Sequence, residues 1–396
     1  MKAGKSIIKK IFERFNIITK EENEKNFDID VLDDSFYSDL INYKTLGLGE
    51  AYMNEKFKTN NLENLLIKLA KLNDLSIFSL LSYLTIFEWF YFIPYIVWKI
   101  WNKMKFIFFN QQTIEKSKVV GEEHYDLPNV LYDNMLGATK LYSCAYWQFS
   151  QYTLDDAQKR KAKLIMDKLY IEDGQDILEI GSGWGYIASQ IAVSYPNCKV
   201  IGVTISAEQI EYCLNTYKHI QNLTFHLIDY RFIAKNSYDR IYSVGFAEHI
   251  GFKNYEQFYD LTYNALKDTG LMLVHTICRN KENYGNDPFI DKYIFRGAEL
   301  TSASQILKVV ESSKFHTEDM HEFGLYYAET LKAWKNNFYD SYNKLQQYNP
   351  EIFDEKFQRM WLFYLTISRI GFLNKTLRLT QFIFSKNNNQ VYNRYF

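Results

Sequence analysis

The run Asp176-Ile177-Leu178-Glu179-Ile180-Gly181-Ser182-Gly183-Trp184-Gly185 constrains this chain more than any other stretch. Ile177, Leu178 and Ile180 read as a short buried strand, three glycines come next, and residues 186–192 carry helical spacing. Strand, tight turn and helix make the first half of a βαβ unit. A backbone without Cβ atoms turns sharply there and lets a ligand come close. By itself the pattern leaves NAD, a flavin, S-adenosylmethionine and a purely structural turn open.

Beyond the turn the alternation repeats. Strands are expected at Lys199–Thr204, 224–228, 240–244 and 271–276, with a late strand at 315–323. Helices are expected at 206–218, where Ser206 caps and Gln209 stands three residues on, and at 254–266. Such alternation specifies an α/β fold with a doubly wound, largely parallel sheet that binds ligands beyond the carboxyl ends of its strands. A dinucleotide site wants G-x-G-x-x-G and an acid ending the second strand. Here the spacing is Gly181-x-Gly183-x-Gly185, and the second strand ends in Val203-Thr204-Ile205-Ser206 without a carboxylate. Asp229 ends the third strand instead, where it either accepts from an adenine amino group or caps a turn. An adenosyl ligand without a pyrophosphate fits these features better than NAD.

The 396 residues are enough for two domains. Hydrophobic residues at 47% against 23% charged exclude global disorder, and an aromatic content of 17% suits a large apolar pocket or a membrane-facing surface. A net charge of −1 argues against bulk nucleic-acid binding. Cys144, Cys198, Cys213 and Cys278 form neither a CxxC pair nor a His/Cys cluster, so no disulfide framework and no metal site is indicated, and a reducing cytoplasm fits. Ile7, Ile8, Ile11, Phe12 and Phe15 share one helical face with Lys5, Lys9, Lys10 and Arg14 off it, a pattern for anionic lipid or for packing on its own domain. Residues 28–72 read as helical, with turns at Asp33-Asp34 and Gly47-Leu48-Gly49. Residues 75–98 contain one charge, Glu88, and one proline, Pro94, and read as buried or interfacial helices, with a membrane span as the lesser reading. Lys99, Lys103 and Lys105 beside Trp98 and Trp101 favour a bilayer surface. The division expected is a helical, lipid-contacting domain over 1–110, a polar linker over 111–120, a catalytic domain over 121–386 that closes with helices from Tyr326 onwards, and a polar tail over 387–396.

Several separated motifs, taken in order, resemble those of bacterial cyclopropane-fatty-acyl-phospholipid synthases. They are Leu46-Gly47-Leu48-Gly49-Glu50-Ala51-Tyr52-Met53, His124-Tyr125-Asp126, Tyr142-Ser143-Cys144-Ala145-Tyr146-Trp147, the Gly-rich turn, Gly202-Val203-Thr204-Ile205-Ser206-Ala207-Glu208-Gln209, Asp229-Tyr230-Arg231, Glu248-His249-Ile250-Gly251 and His275-Thr276-Ile277. The resemblance runs from about residue 30 to Lys386. It implies a Rossmann-like class I methyltransferase sheet behind a smaller helical domain. The implied activity uses S-adenosylmethionine to convert a cis double bond of a membrane phospholipid into a cyclopropane. A related lipid C-methyltransferase or amine N-methyltransferase is the alternative.

The resemblance also implies roles. Cys144, Glu248, His275, Ile277 and Tyr327 would hold a bicarbonate that acts as base. Tyr142 and Ser143 would meet the methionine end of the cofactor, Gly181 and Gly183 its backbone, Thr204 and Gln209 the ribose, and Asp229 and Tyr230 the adenine. Phe246 would line the lipid pocket. A homodimer at the inner face of the membrane is implied as well. Singly, each residue has a plainer use, as packing, a satisfied core histidine or a helix opening; gathered at strand ends they read as a site. Two departures from the family pattern stand out: Pro128 before Asn129, and a segment over 296–302 that lacks the prolines usual there.

Overall fold

The computed structural model describes residues 2–71, 127–282, 285–386 and 391–394, together with positions 93, 97, 100, 101, 104, 110 and 112. Its strands are β1 (Asp30–Val31), β2 (Phe57–Lys58), β3 (Asp176–Ile180), β4 (Lys199–Thr204), β5 (Leu223–Leu227), β6 (Tyr238–Val244), β7 (Leu266–Arg279), β8 (His316–Glu322) and β9 (Leu377–Ser385). β1 and β2 form a small antiparallel pair, and the other seven form one sheet in the order β5-β4-β3-β6-β7-β9-β8. The five strands from β5 to β7 run parallel, while β9 lies antiparallel between β7 and β8.

Period-two alternation divides the central strands between two cores, one on each face. Leu178, Ile241, Met272, Val274, Phe382 and Phe384 enter one, and Ile177, Tyr242, Leu273 and Ile383 the other. The expected helix after β4 forms as Ala207–Thr216, capped by Ser206, whose side chain accepts from the backbone of Gln209. The last part of the chain corrects the sequence reading. Helices Leu325–Tyr348 and Glu355–Leu373 do form, but the chain then returns as β9 rather than ending in helices.

Contacts divide the chain into two compact units, neither contiguous in sequence. One gathers Met1–Phe109, Gly285–Arg296 and Trp334–Asn374; the other gathers Asn110–Tyr284, Gly297–Ala333 and Lys375–Phe396. The first crossing falls between Phe109 and Asn110, and two later segments belong with the N-terminal residues. A close approach explains their place. Gly49 lies on helix Thr45–Met53, where an added Cβ would stand 2.3 Å from the ring of Phe289 and 2.9 Å from that of Phe363. Those two rings pack edge to face at 4.7 Å. Glu50, beside it, accepts from Lys292 and from the Tyr293 hydroxyl.

Gly47-Leu48-Gly49 is therefore part of a helix and not the expected turn. Its glycines serve packing: a Cβ on Gly47 would lie 2.0 Å from the carbonyl oxygen of Asp39 in the preceding helix, Ser35–Tyr43. The N-terminal helix, Lys2–Arg14, uses its apolar stripe inside its own unit, since Ile7, Ile8 and Phe12 are buried. Lys5 pairs with Asp34 and Lys9 with Glu21. Pro128, with φ −52°, starts helix Asn129–Met135 without a left-handed turn. Among the described residues no helix is long and apolar enough to cross a membrane. The expected segments at 75–98 (apart from 93 and 97), at 99, 103 and 105, and at 124–126 lie outside the described residues, as do most of 111–120 and of the tail.

Replacing Gly47 by Ala tests the close helix approach. Alanine gains about 1 kcal/mol of helix propensity over glycine. The overlap with a backbone oxygen outweighs that gain, so Gly47→Ala should unfold at lower denaturant, with a net loss of about 1–3 kcal/mol.

Candidate active site

The Gly-rich turn continues β3 into the site. Gly181 N and Ser182 N both donate to Val203 O, at 2.9 and 3.0 Å, and Gly181, Gly183 and Gly185 have φ of +79°, +52° and +75°. Packing explains two of the glycines, since a Cβ on Gly181 would lie 2.7 Å from the ring of Phe246 and one on Gly185 would lie 2.6 Å from Phe225. Gly183 differs: a Cβ there would meet nothing within 4 Å. That open, left-handed backbone at a strand end is the cradle an adenosyl ligand needs.

The residues expected on the cofactor have different partners in the structure. The ring of Tyr142 lies 5.7 Å from Tyr132, which in turn lies 5.2 Å from Trp184. Ser143 Oγ accepts from Lys161 Nζ at 2.6 Å. Thr204 Oγ1 donates to Gln209 Oε1 at 2.9 Å, so the Gln209 side chain is turned to Thr204 at the end of β4. Asp229 accepts from the backbone and the guanidinium of Arg231, both at 3.0 Å, and so caps its own turn. Tyr230 is buried against Phe246 and Phe258. Phe246 thus packs on Gly181 and on these rings.

Of the five residues expected around an anion, Glu248 lies just after β6, and His275 and Ile277 lie on β7. Val244 pairs with His275 in the parallel register, and Gly245 N donates to His275 O at 2.9 Å. Glu248 comes next in a 3-10 turn, where its Oε1 accepts from Ile277 N at 2.7 Å. Its Oε2 makes no hydrogen bond of good geometry among the described residues, but the Thr276 hydroxyl lies close enough to favour the ionised carboxylate. His275 Nδ1 lies 3.0 Å from Gln381 Nε2, while Nε2 of the ring has no partner among the described residues. Cys144 is fully buried. Its loop is fastened by Thr330, whose Oγ1 accepts from Ala145 N at 3.0 Å and from Trp147 Nε1 at 2.9 Å. Thr330 stands one helical turn beyond the buried Tyr327 on Leu325–Tyr348. The rings of Tyr146, Phe323 and Tyr326 pack together, and Phe323 reaches His275 at 5.8 Å. The altered segment at 296–302 is bound to this corner, for Glu299 N donates to Glu248 O at 3.0 Å.

Burial dominates the electrostatics. It pushes the carboxyl of Glu248 up to about 7 and that of Glu179 up to about 8, and it lifts the Cys144 thiol well above its ordinary range. It also brings the Lys161 ammonium down to about 7. His275 is held well below its usual value, by burial first and by the charges of Lys161 and Lys168 next.

Four residues near the site escaped the sequence reading. Lys161 and Gln158 are fully buried on helix Leu154–Lys168, where Gln158 Nε2 donates to Ser143 O at 3.0 Å. A lysine and a glutamine at helical spacing with Ala157, Ala162 and Ile165 were the signal, since polar groups on an apolar stripe need partners. Gln381 went unseen because its strand did. Gln112, in the expected linker, is buried, and its carbonyl accepts from Arg231 at 3.2 Å and from Asn254 at 3.0 Å.

The chain is similar to several known proteins. Residues 111–382 match the family described as mycolic acid cyclopropane synthetase. The cyclopropane-fatty-acyl-phospholipid synthase of Escherichia coli (strain K12) is 35% identical over 362 residues, covering 91% of this chain and 88% of its own. The cyclopropane synthase MmaA2 from Mycobacterium tuberculosis shares the fold, with a TM-score of 0.63 at 23% identity over 68% of this chain and 98% of its own. The mycolic acid cyclopropane synthase CmaA1, solved with SAH and CTAB, gives 0.61 at 25% identity over 67% and 97%.

Glu248 makes stability depend on pH in a defined sense. Its folded pKa of about 7 lies above its ordinary value of 4.5, so the fold favours the neutral acid. That contribution is complete below pH 4.5 and is lost as pH rises through 7. Glu248→Gln stays neutral throughout. Its stability relative to the parent should rise between pH 4.5 and pH 8.5 by on the order of 2–3 kcal/mol, read by denaturant unfolding at both pH values.

Proposed function

The chain belongs to the mycolic acid cyclopropane synthetase family of S-adenosylmethionine-dependent enzymes, and from that membership we propose that it is a cyclopropane-fatty-acyl-phospholipid synthase. In this reading it adds a methylene across a cis double bond of a phospholipid acyl chain. The observation that carries the reading is a pair of buried polar atoms: His275 Nε2 on β7, without a partner among the described residues, and Glu248 Oε2 just after the neighbouring β6, with only the Thr276 hydroxyl close by. A buried polar atom left without a partner costs about 1–3 kcal/mol. An acid or acceptor and a ring nitrogen on neighbouring elements suit a small oxyanion that both accepts and donates.

S-adenosylmethionine supplies an electrophilic methyl group on a positively charged sulfur. The acyl alkene bonds that methyl through one carbon, which leaves positive charge on the other. Loss of a proton from the new methyl closes the ring, so S-adenosylhomocysteine and one proton balance the reaction. The residues divide the work. The turn offers its open backbone at Gly183 to the donor, with Gly181 next to it in the same turn, and Tyr142, Ser143, Thr204, Gln209, Asp229 and Tyr230 would supply the other contacts. Aromatic faces would stabilise a cationic carbon while water is excluded, and the cluster of Tyr146, Phe323 and Tyr326 packs beside His275. Glu248, His275 and the Ile277 backbone, with Cys144 and Tyr327, would hold a bicarbonate that supplies the base.

The substrate puts the enzyme at a membrane surface. Support comes from Ile93, Val97, Ile100, Trp101 and Met104, all helical and between 46% and 67% exposed. They recur at i, i+4, i+7, i+8 and i+11, one apolar stripe, and the sequence interleaves Lys99, Lys103 and Lys105 with them. The same reading makes the protein a homodimer at the cytoplasmic face.

Incubation with S-adenosylmethionine and vesicles of a cis-unsaturated phospholipid should yield the high-field proton signals of a cyclopropane. Glu248→Gln should lower the rate by about 10²-fold or more. A gain of CH2 without ring signals would overturn ring closure in favour of lipid methylation. Trp101→Glu should reduce flotation with anionic vesicles; unchanged flotation would remove the stripe from the membrane contact.

A further inference from the structure

His275 on β7 stands opposite Gln381 on β9 in the antiparallel register, and their side chains meet. Gln381 Nε2 lies 3.0 Å from His275 Nδ1, with both residues buried. An amide nitrogen carries hydrogens and offers no lone pair, so it faces Nδ1 only as a donor. Nδ1 is then the acceptor. In a neutral ring the single proton must sit on Nε2. Neutrality has its own cause, since burial and the charges of Lys161 and Lys168 hold His275 well below its ordinary pKa. The Nε2–H that results has no partner among the described residues.

We infer that Gln381 is a positioning residue, which fixes His275 as its Nε2–H tautomer and so presents a hydrogen-bond donor to the anion seated beside Glu248. The inference rests on the proposed function for the identity of that anion, not for the tautomer. Chemistry explains the choice of glutamine. A carboxylate at position 381 would accept from Nδ1–H, and would either draw a second proton onto the ring or leave Nε2 as a bare lone pair. A lone pair there could take only the anion's single O–H and would repel its other oxygens. A second proton adds a buried charge that needs its own partner. Only a neutral donor at Nδ1 gives a neutral ring with its hydrogen on the site side.

The tautomer can be read without cofactor or lipid, from long-range proton–nitrogen correlation spectra of protein labelled with 15N-histidine. The His275 signals are assigned by their loss in His275→Asn. The wild type should show Nε2–H. Gln381→Met, of equal length but without a donor, should give a mixture of tautomers, and Gln381→Glu should move a proton to Nδ1. In turnover, Gln381→Met should raise the half-saturating bicarbonate concentration about tenfold and leave the KM for S-adenosylmethionine within about twofold. A wild-type ring protonated on Nδ1 overturns the inference, and needs no variant to fold. So does a Gln381→Met protein with the parent tautomer and the parent bicarbonate dependence. A wild-type rate indifferent to bicarbonate overturns the anion reading instead, and the ligand-free spectra then judge Gln381 alone.

Discussion

β9 runs antiparallel to β7 from Leu271 opposite Ser385 to Arg279 opposite Leu377. A strand register is all or nothing, because a slip of one residue turns every side chain to the other face. Here a slip would draw Phe382 and Phe384 out of one core and Ile383 out of the other. At about 1.5–3 kcal/mol for each buried large side chain, no slipped arrangement competes. The same register puts Gln381 beside His275 and leaves Ile277 N at the strand end for Glu248. The geometry of one small polar group is thus held by apolar packing that never touches a ligand. The cores supply the energy, and the polar pair inherits the precision.

A second consequence concerns which strand ends are free. Parallel strands β3, β4 and β6 all finish on one side, so Gly181, Thr204 and Gly245 come to one edge. β9 enters from the other direction and supplies its middle to the site rather than an end. A Cβ on Gly245 would sit 3.7 Å from the Cβ of Ser143, which ties the Cys144 loop to the same edge. The Gly-rich turn and the Glu248–His275 corner are therefore built on neighbouring strands, and Lys161 reaches toward both. Its ammonium donates to Ser143 Oγ, and its charge is felt by Cys144, Glu179 and His275.

Local rules made the parallel half of the sheet legible. A short apolar run, a glycine turn and a helical repeat stand next to one another in the chain, so β3, β4, β5 and β6 fell within a few residues of their expected places. β9 was not legible in the same way. Its pairing partners lie about a hundred residues earlier in β7, and its apolar run comes after two long helices, where periodicity alone does not separate strand from helix. Gly47 and Gly49 misled for a related reason: glycine signals a turn, yet here it permits a close approach that depends on Asp39, Phe289 and Phe363. The candidate site divided likewise. Glu248, His275 and Ile277 stood out through their motifs, whereas Lys161, Gln158 and Gln381 have functions only in the presence of neighbours distant in sequence.

The electrostatics of the corner fit a reaction that passes through positive charge. A thiolate or carboxylate next to an electrophilic methyl, or to a cationic carbon, would compete with the intended bond. Burial works against both, since it lifts the Cys144 thiol far above its normal range and Glu248 to about 7. The Cys144 sulfur is therefore kept as a thiol, whose Sγ lies 3.2 Å from the Ala145 carbonyl. The Glu248 carboxyl, raised to about 7, is ionised only in part near neutral pH and gives one oxygen to Ile277 N. Beside them, Phe323 packs against the His275 ring within a cluster that includes Tyr146 and Tyr326, side chains that bring no nucleophile of that kind. Excluding water from this corner thus has two effects with one cause. It protects the reacting carbon from solvent, and it disarms the nucleophiles that the chain itself brings to the site.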